Sequence, residues 1–249
     1  MKRSPLAQSF VAAANAEARR NGRLPDMLIL HYTGVPSAAE SLAMLCSAES
    51  GVSCHYLVDE QGGIIQMVDD HLRAWHAGVS SWQGESDINS RSIGIEIQNP
   101  GHGDGYPDFP PRQMAAVAAL CRDLIRRHAI PARHILAHSD VAPGRKIDPG
   151  EKFDWAYLAR EGIGHWVAPA AITGGSFLQE GDQGQPVEAL QAMLKLYGYG
   201  VELSGVYDAR TRVVVEAFQR HFRPERVDGI ADPSTVTTLY RLLEPAAQA

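Results

Sequence analysis

The chain has 249 residues and a mass of 27.1 kDa, more than one typical domain of ~100–150 residues, so a medium domain followed by a small one is the natural division. With 45% hydrophobic and 21% charged residues it holds enough apolar mass for a core and shows no compositional bias, which excludes extended disorder, collagen and a disulfide-dense miniprotein. A net charge of −6, with no basic run longer than pieces such as Arg126-Arg127, argues against nucleic acid as a partner.

Reading from the N-terminus, the basic start Met1-Lys2-Arg3 leads into no apolar core of signal-peptide length before Asn15, Glu17 and two arginines. No stretch reaches the ~18 apolar residues of a membrane span. The three cysteines, Cys46, Cys54 and Cys121, leave at least one thiol unpaired within a single chain. These features favour a cytoplasmic location, with the periplasm as the alternative, and a monomer.

Met27 to Leu30 is a continuous apolar run that reads as a buried strand and delivers His31-Tyr32-Thr33-Gly34 at its end. Ser37 to Ala48 has helical composition. His55 to Asp59 and Ile64 to Val68 read as a hairpin around Gly62-Gly63. In Ser92 to Gln98 the isoleucines 93, 95 and 97 alternate with Gly94, Glu96 and Gln98, so Glu96 points away from the isoleucine layer. Arg112 to Ala129 carries Met114, Val117, Ala118, Cys121, Leu124, Ile125 and His128 at helical spacing after Pro110-Pro111. Ile135 to Ala137 is a short strand that ends in a polar turn, His138-Ser139-Asp140, followed by the loop Pro143 to Gly150.

Strands interleaved with helices predict an α/β domain with a mixed central sheet flanked by helices over residues 1–168. Residues 169–176 form a Pro/Ala/Gly linker. Residues 177–249 form a second, smaller all-α domain of three helices. That region repeats itself: Gly205-Val206-Tyr207-Asp208 precedes Thr211, and Gly229-Ile230-Ala231-Asp232 precedes Thr235, so each aspartate is placed to cap a helix. Pro186 to Leu196 supplies the first helix of the three.

Polar residues at strand ends are where α/β sheets place their sites, and three stand out: His31, His138 and the Asp148 turn. Two neutral imidazoles and one carboxylate suit Zn²⁺ and leave a fourth position for water, as in a catalytic site. A water so activated needs a base for its proton, and Glu96 is the best-placed carboxylate. Lys146, two residues before Asp148, can offer positive charge to an oxyanion developing on an attacked carbonyl. The competing reading is solvated turn residues, since a chain with ten histidines places two near an aspartate without any chemistry.

The segments LILHYTG, SCHYLVDEQGGIIQ, RAWHAGVSSW, INSRSIGIEIQNP and LAHSDVAPGRKIDPG, in this order, resemble the zinc-dependent N-acetylmuramoyl-L-alanine amidases of the type-2 amidase family. The resemblance runs from about Pro25 to Trp166. It is nearest to the bacterial AmpD/AmiD-like branch, and more distant to phage T7-type lysozyme and the peptidoglycan recognition proteins. It implies that His31, His138 and Asp148 are zinc ligands, Glu96 the general base and Lys146 the transition-state stabiliser. In the phage branch the third ligand is a cysteine and a tyrosine acts from the position Cys54 holds here; this chain departs on both counts. The last 70 or so residues resemble the three-helix peptidoglycan-binding module, through Leu190-Gln191, Gly205 to Asp208, Ala217-Phe218-Gln219 and Asp228-Gly229-Ile230. The implied reaction is hydrolysis of the amide between the lactyl group of N-acetylmuramic acid and L-alanine, in peptidoglycan or muropeptides. A non-catalytic peptidoglycan receptor on the same fold is the alternative.

Other residues carry weaker expectations. Trp75 suits stacking on a sugar or packing beneath the site, and His76, Asn89 and Arg145 are candidates for substrate contact. Asp140 reads first as a surface turn residue and second as a partner that orients His138. His134, four positions before His138, lies too far along a strand to share a metal with it. Cys54 and His55 point to opposite faces, which disfavours a thiol peptidase. Phe218 is expected in the core, whereas a tyrosine among Tyr197, Tyr199 and Tyr207 is placed to line a glycan groove.

Overall fold

A computed structural model describes residues 3–244. The strands are β1 (Ser9–Phe10), β2 (Ala16–Ala18), β3 (Met27–Tyr32), β4 (Tyr56–Val58), β5 (Ile64–Gln66), β6 (Leu72–Ala74), β7 (Ser92–Ile97) and β8 (Ile135–Ala137). The helices are α1 (Ala38–Cys46), α2 (Ile88–Arg91), α3 (Pro111–His128), α4 (His138–Val141), α5 (Trp155–Arg160), α6 (Gln185–Tyr197), α7 (Ala209–Phe222) and α8 (Pro233–Leu243). Six strands form one sheet in the order β1-β5-β4-β7-β3-β8, and β2 pairs with β6 in a separate ribbon. The centre of the large sheet is parallel, with β3 between β7 and β8, while β5 runs antiparallel to β4. This is the mixed sheet with flanking helices that the sequence predicts. The short elements β1, β2, β6, α2 and α5 carry no periodic signal in the sequence.

The sheet alternates strictly, so each strand feeds two layers. Leu28, Leu30, Ile93, Ile95, Ile97, Tyr56 and Val58 face α3, whose Met114, Val117, Ala118, Cys121 and Leu124 complete the main core. α3 begins with Pro111 in its first turn, where the missing N–H costs nothing, and places Arg126, Arg127 and His128 at its C-terminal end, favourable to the helix dipole. Met27, Ile29 and Leu136 face the other way and join Trp82, Ile88 and the apolar residues of α6, α7 and α8 in a second core. His31 and Glu96 continue this second face toward the C-terminal ends of their strands.

The expected three helices are α6, α7 and α8. Asp208 accepts from the Thr211 N–H and Asp232 from the Thr235 N–H, as the repeat predicts. Two buried glutamines, which the repeat did not reveal, tie these turns down. Gln191 of α6 accepts from Gly205 N and donates to the Val206 carbonyl; Gln219 of α7 accepts from Gly229 N and donates to the Ile230 carbonyl. Gly205 and Gly229 have φ of 66° and 67°, the left-handed region that favours glycine.

The segment between the two parts is strapped down. Ala170 N donates to Thr238 Oγ1, and Ser234 Oγ donates to the Ala170 carbonyl, so the chain after Trp166 lies along α8. Tyr197, Tyr199, Tyr207 and Phe218 are all buried in the shared core. The expectation that one of these tyrosines lines a groove is therefore corrected: their rings pack with Trp82, Phe218 and Phe222 inside that core. All three cysteines are free thiols. Among the described residues no helix is long and apolar enough to cross a membrane.

Candidate metal centre and catalytic cleft

Three elements converge at the C-terminal edge of the central strands. β3 carries His31 as its penultimate residue, β7 sets Glu96 in register beside it, and the chain leaves β8 to start α4 with His138. His138 thus opens a single helical turn where the sequence suggested a polar turn. Asp148 is carried back to it by the following loop, and the Asp148 carbonyl accepts from Ser139 N at 3.0 Å. His31 Nδ1 and His138 Nδ1 stand 2.9 Å apart, and both lie near Asp148 Oδ2, at 3.1 and 3.0 Å. Among the described residues this trio is the group of histidine, cysteine and acidic side chains close enough to hold a metal ion.

The surrounding hydrogen bonds decide which nitrogen carries a proton. Ser92 Oγ donates to the Ile88 carbonyl, so it accepts from His76 Nε2; His76 Nδ1 is then left to accept from His31 Nε2 at 3.0 Å. This chain leaves the His31 Nδ1 lone pair free. On the other side His138 Nε2 donates to the Ala77 carbonyl at 3.1 Å, which frees His138 Nδ1 as well. Burial, reinforced by the neighbouring His138, lowers the His31 pKa to about 4, so its imidazole is neutral at pH 7. For Asp148 burial works the other way, but the close approach of the His138 and His31 rings holds its carboxyl well below the usual range. Two neutral imidazole nitrogens and one carboxylate oxygen aimed at a common point fit the donor set of a zinc site with one open position.

Glu96 lies in the same cleft. Its Oε2 is buried without a hydrogen-bond partner, and burial together with the nearby Asp148 raises its pKa well above the ordinary carboxyl range, an effect Lys146 opposes. A cleft of about 500 Å³ joins these groups to solvent, with Trp75, Arg145 and Lys146 along its walls beside Tyr32, Val35 and Val52. Lys146 and Arg145 are exposed. Arg145 Nε donates to the Val79 carbonyl, and its Nη2 reaches the Ala77 carbonyl, which fixes its fork at the rim. Trp75 Nε1 donates to Glu17.

Two expectations need correction. Asn89 is buried behind the cleft, where its Oδ1 accepts from His76 N and Ala77 N; it shapes the backbone under the site and does not line the cleft. Asp140 is no surface turn residue: it is wholly buried, and its Oδ2 accepts from Ala137 N to close the α4 turn. His76 does line the cleft, yet both of its ring nitrogens are engaged by His31 and Ser92. The signal for that contact was Gly94: a Cβ there would sit 2.6 Å from the His76 ring and 2.7 Å from Cys54 Sγ, so a strand glycine makes room for the imidazole. His134 and Cys54 fall as expected. His134 Nδ1 bonds the Asp26 carbonyl, and burial pushes the Cys54 thiol well above its usual pKa.

The N-acetylmuramoyl-L-alanine amidase family model matches residues 21–151, and a peptidoglycan binding domain model matches residues 183–239. Over 236 residues the chain is 37% identical to the N-acetylmuramoyl-L-alanine amidase AmiD of Escherichia coli (strain K12), covering 89% of this chain and 83% of that protein. It is 43% identical to the 1,6-anhydro-N-acetylmuramyl-L-alanine amidase AmpD of Citrobacter freundii over 165 residues, 59% of this chain and 85% of AmpD. Among solved structures, the complex of E. coli AmiD with anhydro-N-acetylmuramic acid-L-Ala-D-gamma-Glu-L-Lys superposes with a TM-score of 0.78 at 35% identity, over 94% of each chain. AmpDH3 from Pseudomonas aeruginosa gives 0.73 at 30% identity, over 90% of this chain and 92% of its own. With a buried His-His-Asp donor set beside a glutamate and this likeness across both of its parts, the chain belongs to the N-acetylmuramoyl-L-alanine amidase family.

Proposed function

We propose that the chain hydrolyses the amide between the lactyl group of N-acetylmuramic acid and L-alanine, with zinc held by His31, His138 and Asp148. The observation that carries this reading is the buried trio of donor atoms within about 3 Å of one another, next to a carboxylate that nothing else satisfies. Zinc held by these three residues would supply the Lewis-acid charge that makes a water acidic enough to attack at neutral pH. Glu96 would take a proton from the attacking water and return it to the departing alanine nitrogen, so the products are a lactyl carboxylic acid, which then ionises, and a free stem-peptide amine. Its burial, the neighbouring Asp148 and its lack of hydrogen-bond partners raise its proton affinity, which suits it to accepting and passing on a proton. Lys146, on the loop two residues before Asp148, stabilises the oxyanion that forms on the attacked carbonyl.

Trp75 and Arg145 are the proposed substrate contacts along the cleft: a ring face for sugar or alanine and a guanidinium fork for a stem-peptide carboxylate. His76 acts through His31 by fixing its tautomer. We divide the chain into a catalytic part, 1–168, a connecting segment, 169–176, and a peptidoglycan-binding part, 177–249. The substrate of the AmiD complex, an anhydromuramyl tripeptide, supports a muropeptide as the test ligand.

The test is incubation with a defined muropeptide, with chelator and with zinc restored, reading products by mass. Free stem peptide that disappears on chelation and returns with zinc is the expected outcome. Muropeptide bound but intact in the presence of zinc overturns the catalytic reading and leaves a receptor on the same fold.

A further inference from the structure

Asp140 links the two parts of the molecule directly behind a proposed metal ligand. Two residues after His138, its carboxylate receives three donors in a wholly buried place: Ala137 N at 2.8 Å and His221 Nδ1 at 2.6 Å on Oδ2, and the Tyr199 hydroxyl at 2.6 Å on Oδ1. Ala137 belongs to the turn that presents His138. Tyr199 and His221 belong to the C-terminal part, one just after α6 and the other in the last turn of α7. The His221 ring is itself held flat against Trp155, at 3.7 Å between centroids. A second contact reinforces this one: a Cβ on Gly144 would come within 3.0 Å of Val213 on α7, so the loop that leads to Lys146 and Asp148 lies directly on that helix.

A buried carboxylate with three donors is rigid, and a loss of any donor leaves unmet acceptor capacity that the turn must move to satisfy. α4 is a single turn, too short to hold its own geometry. We propose that Tyr199 and His221 are positioning residues for the metal centre: through Asp140 the peptidoglycan-binding part sets the orientation of His138 and completes the catalytic site. The C-terminal part is then a structural component of catalysis as well as a wall anchor. This rests on the zinc reading given above.

The experiment uses the full chain and measures the zinc Kd of apo-protein by competition with a chelating dye, alongside kcat and KM on a soluble muropeptide. Tyr199→Phe removes one hydroxyl and leaves the ring in the core; His221→Leu removes the ring donor; His221→Asn restores an N–H near the place of Nδ1. Tyr199→Phe and His221→Leu are each expected to weaken zinc binding 10- to 100-fold and to lower kcat, with KM within twofold of wild type. His221→Asn is expected to recover zinc affinity to within threefold. Zinc Kd and kcat within twofold of wild type in Tyr199→Phe overturn the proposal, and that variant decides alone if His221→Leu does not fold. Equal losses in His221→Asn and His221→Leu also overturn it, since the donated hydrogen bond is then not what matters. Failure of the wild-type chain to bind one zinc overturns the metal reading itself, which separates the two.

Discussion

At the level of single residues, the site is governed by which atoms are left without partners. His31 and His138 each spend Nε2 on a protein acceptor, so only Nδ1 remains, and Asp148 faces both. Glu96 is the opposite case, a buried carboxylate oxygen with no donor at all. The two kinds of residue are expected to separate in mutants. Glu96→Gln keeps the shape and the metal, so zinc stoichiometry measured by atomic absorption stays at wild type while turnover falls by a factor of about 10² or more. His31→Ala loses metal and turnover together. Undiminished activity in Glu96→Gln would remove it as the base. These residues were legible in the sequence because polar groups at the ends of apolar strands have few other reasons to be there. The role of His76 was less legible, because it depends on a cross-strand vacancy at Gly94.

At the level of elements, local chemistry sets where helices start. Ser37, Asp208 and Asp232 each cap a helix by accepting a backbone N–H. Asp208→Ala is expected to cost about 1 kcal/mol in urea denaturation, the usual worth of a cap. Asp232→Ala should cost more, because Asp232 also faces Arg223, whose guanidinium is almost wholly buried. Equal losses would show that the Arg223 contact adds nothing. The long elements β3, β7 and α3 were visible from periodicity. The short ones were not: β6 and α2 have three and four residues, too few for any repeat to register, and they exist because neighbouring strands accept them.

At the level of the molecule, one continuous core joins both parts. Trp82 is wholly buried between them, edge-on to Tyr197 and Tyr199, and Gly198 lies so close that a Cβ there would strike its ring at 2.5 Å. Trp82→Ala is expected to destabilise by about 3–5 kcal/mol while thermal unfolding of the wild type follows a single transition. Two separate wild-type transitions in calorimetry would refute the shared core. Acid sensitivity has a similarly global origin in a buried cluster where the N-terminal segment, the sheet and α3 meet. His55 is pushed down to about 3 by burial and by Arg19, so below pH 6.5 the unfolded chain takes up a proton that the folded one refuses. Burial pushes Asp70 upward, but hydrogen bonds from His128 and Tyr56 and the charge of Arg127 prevail and hold it at about 2. Its contribution is complete above pH 4 and is lost as pH falls toward 2. Stability of the metal-free protein should therefore decline from pH 6.5 downward, by up to about 1.4 kcal/mol per pH unit for each such proton, His31 adding to His55, and more steeply below 4. A denaturation midpoint unchanged between pH 7 and 4 would contradict this.

The sequence by itself determined the alternation that sends Glu96 and His31 to one face, the caps and glycine turns of the C-terminal helices, and the candidate donors, because each of these follows from neighbours within a few positions. Tertiary structure alone decided the rest. Which nitrogen of each histidine is free depends on Ser92, His76 and Ala77, which are distant in the chain from the ligands they orient. The burial of Asp140, and of all three tyrosines Tyr197, Tyr199 and Tyr207, arises only when α6 and α7 close over the sheet. A side chain's proton and its exposure are properties of its surroundings, and those are fixed by packing between segments that the local pattern treats as separate.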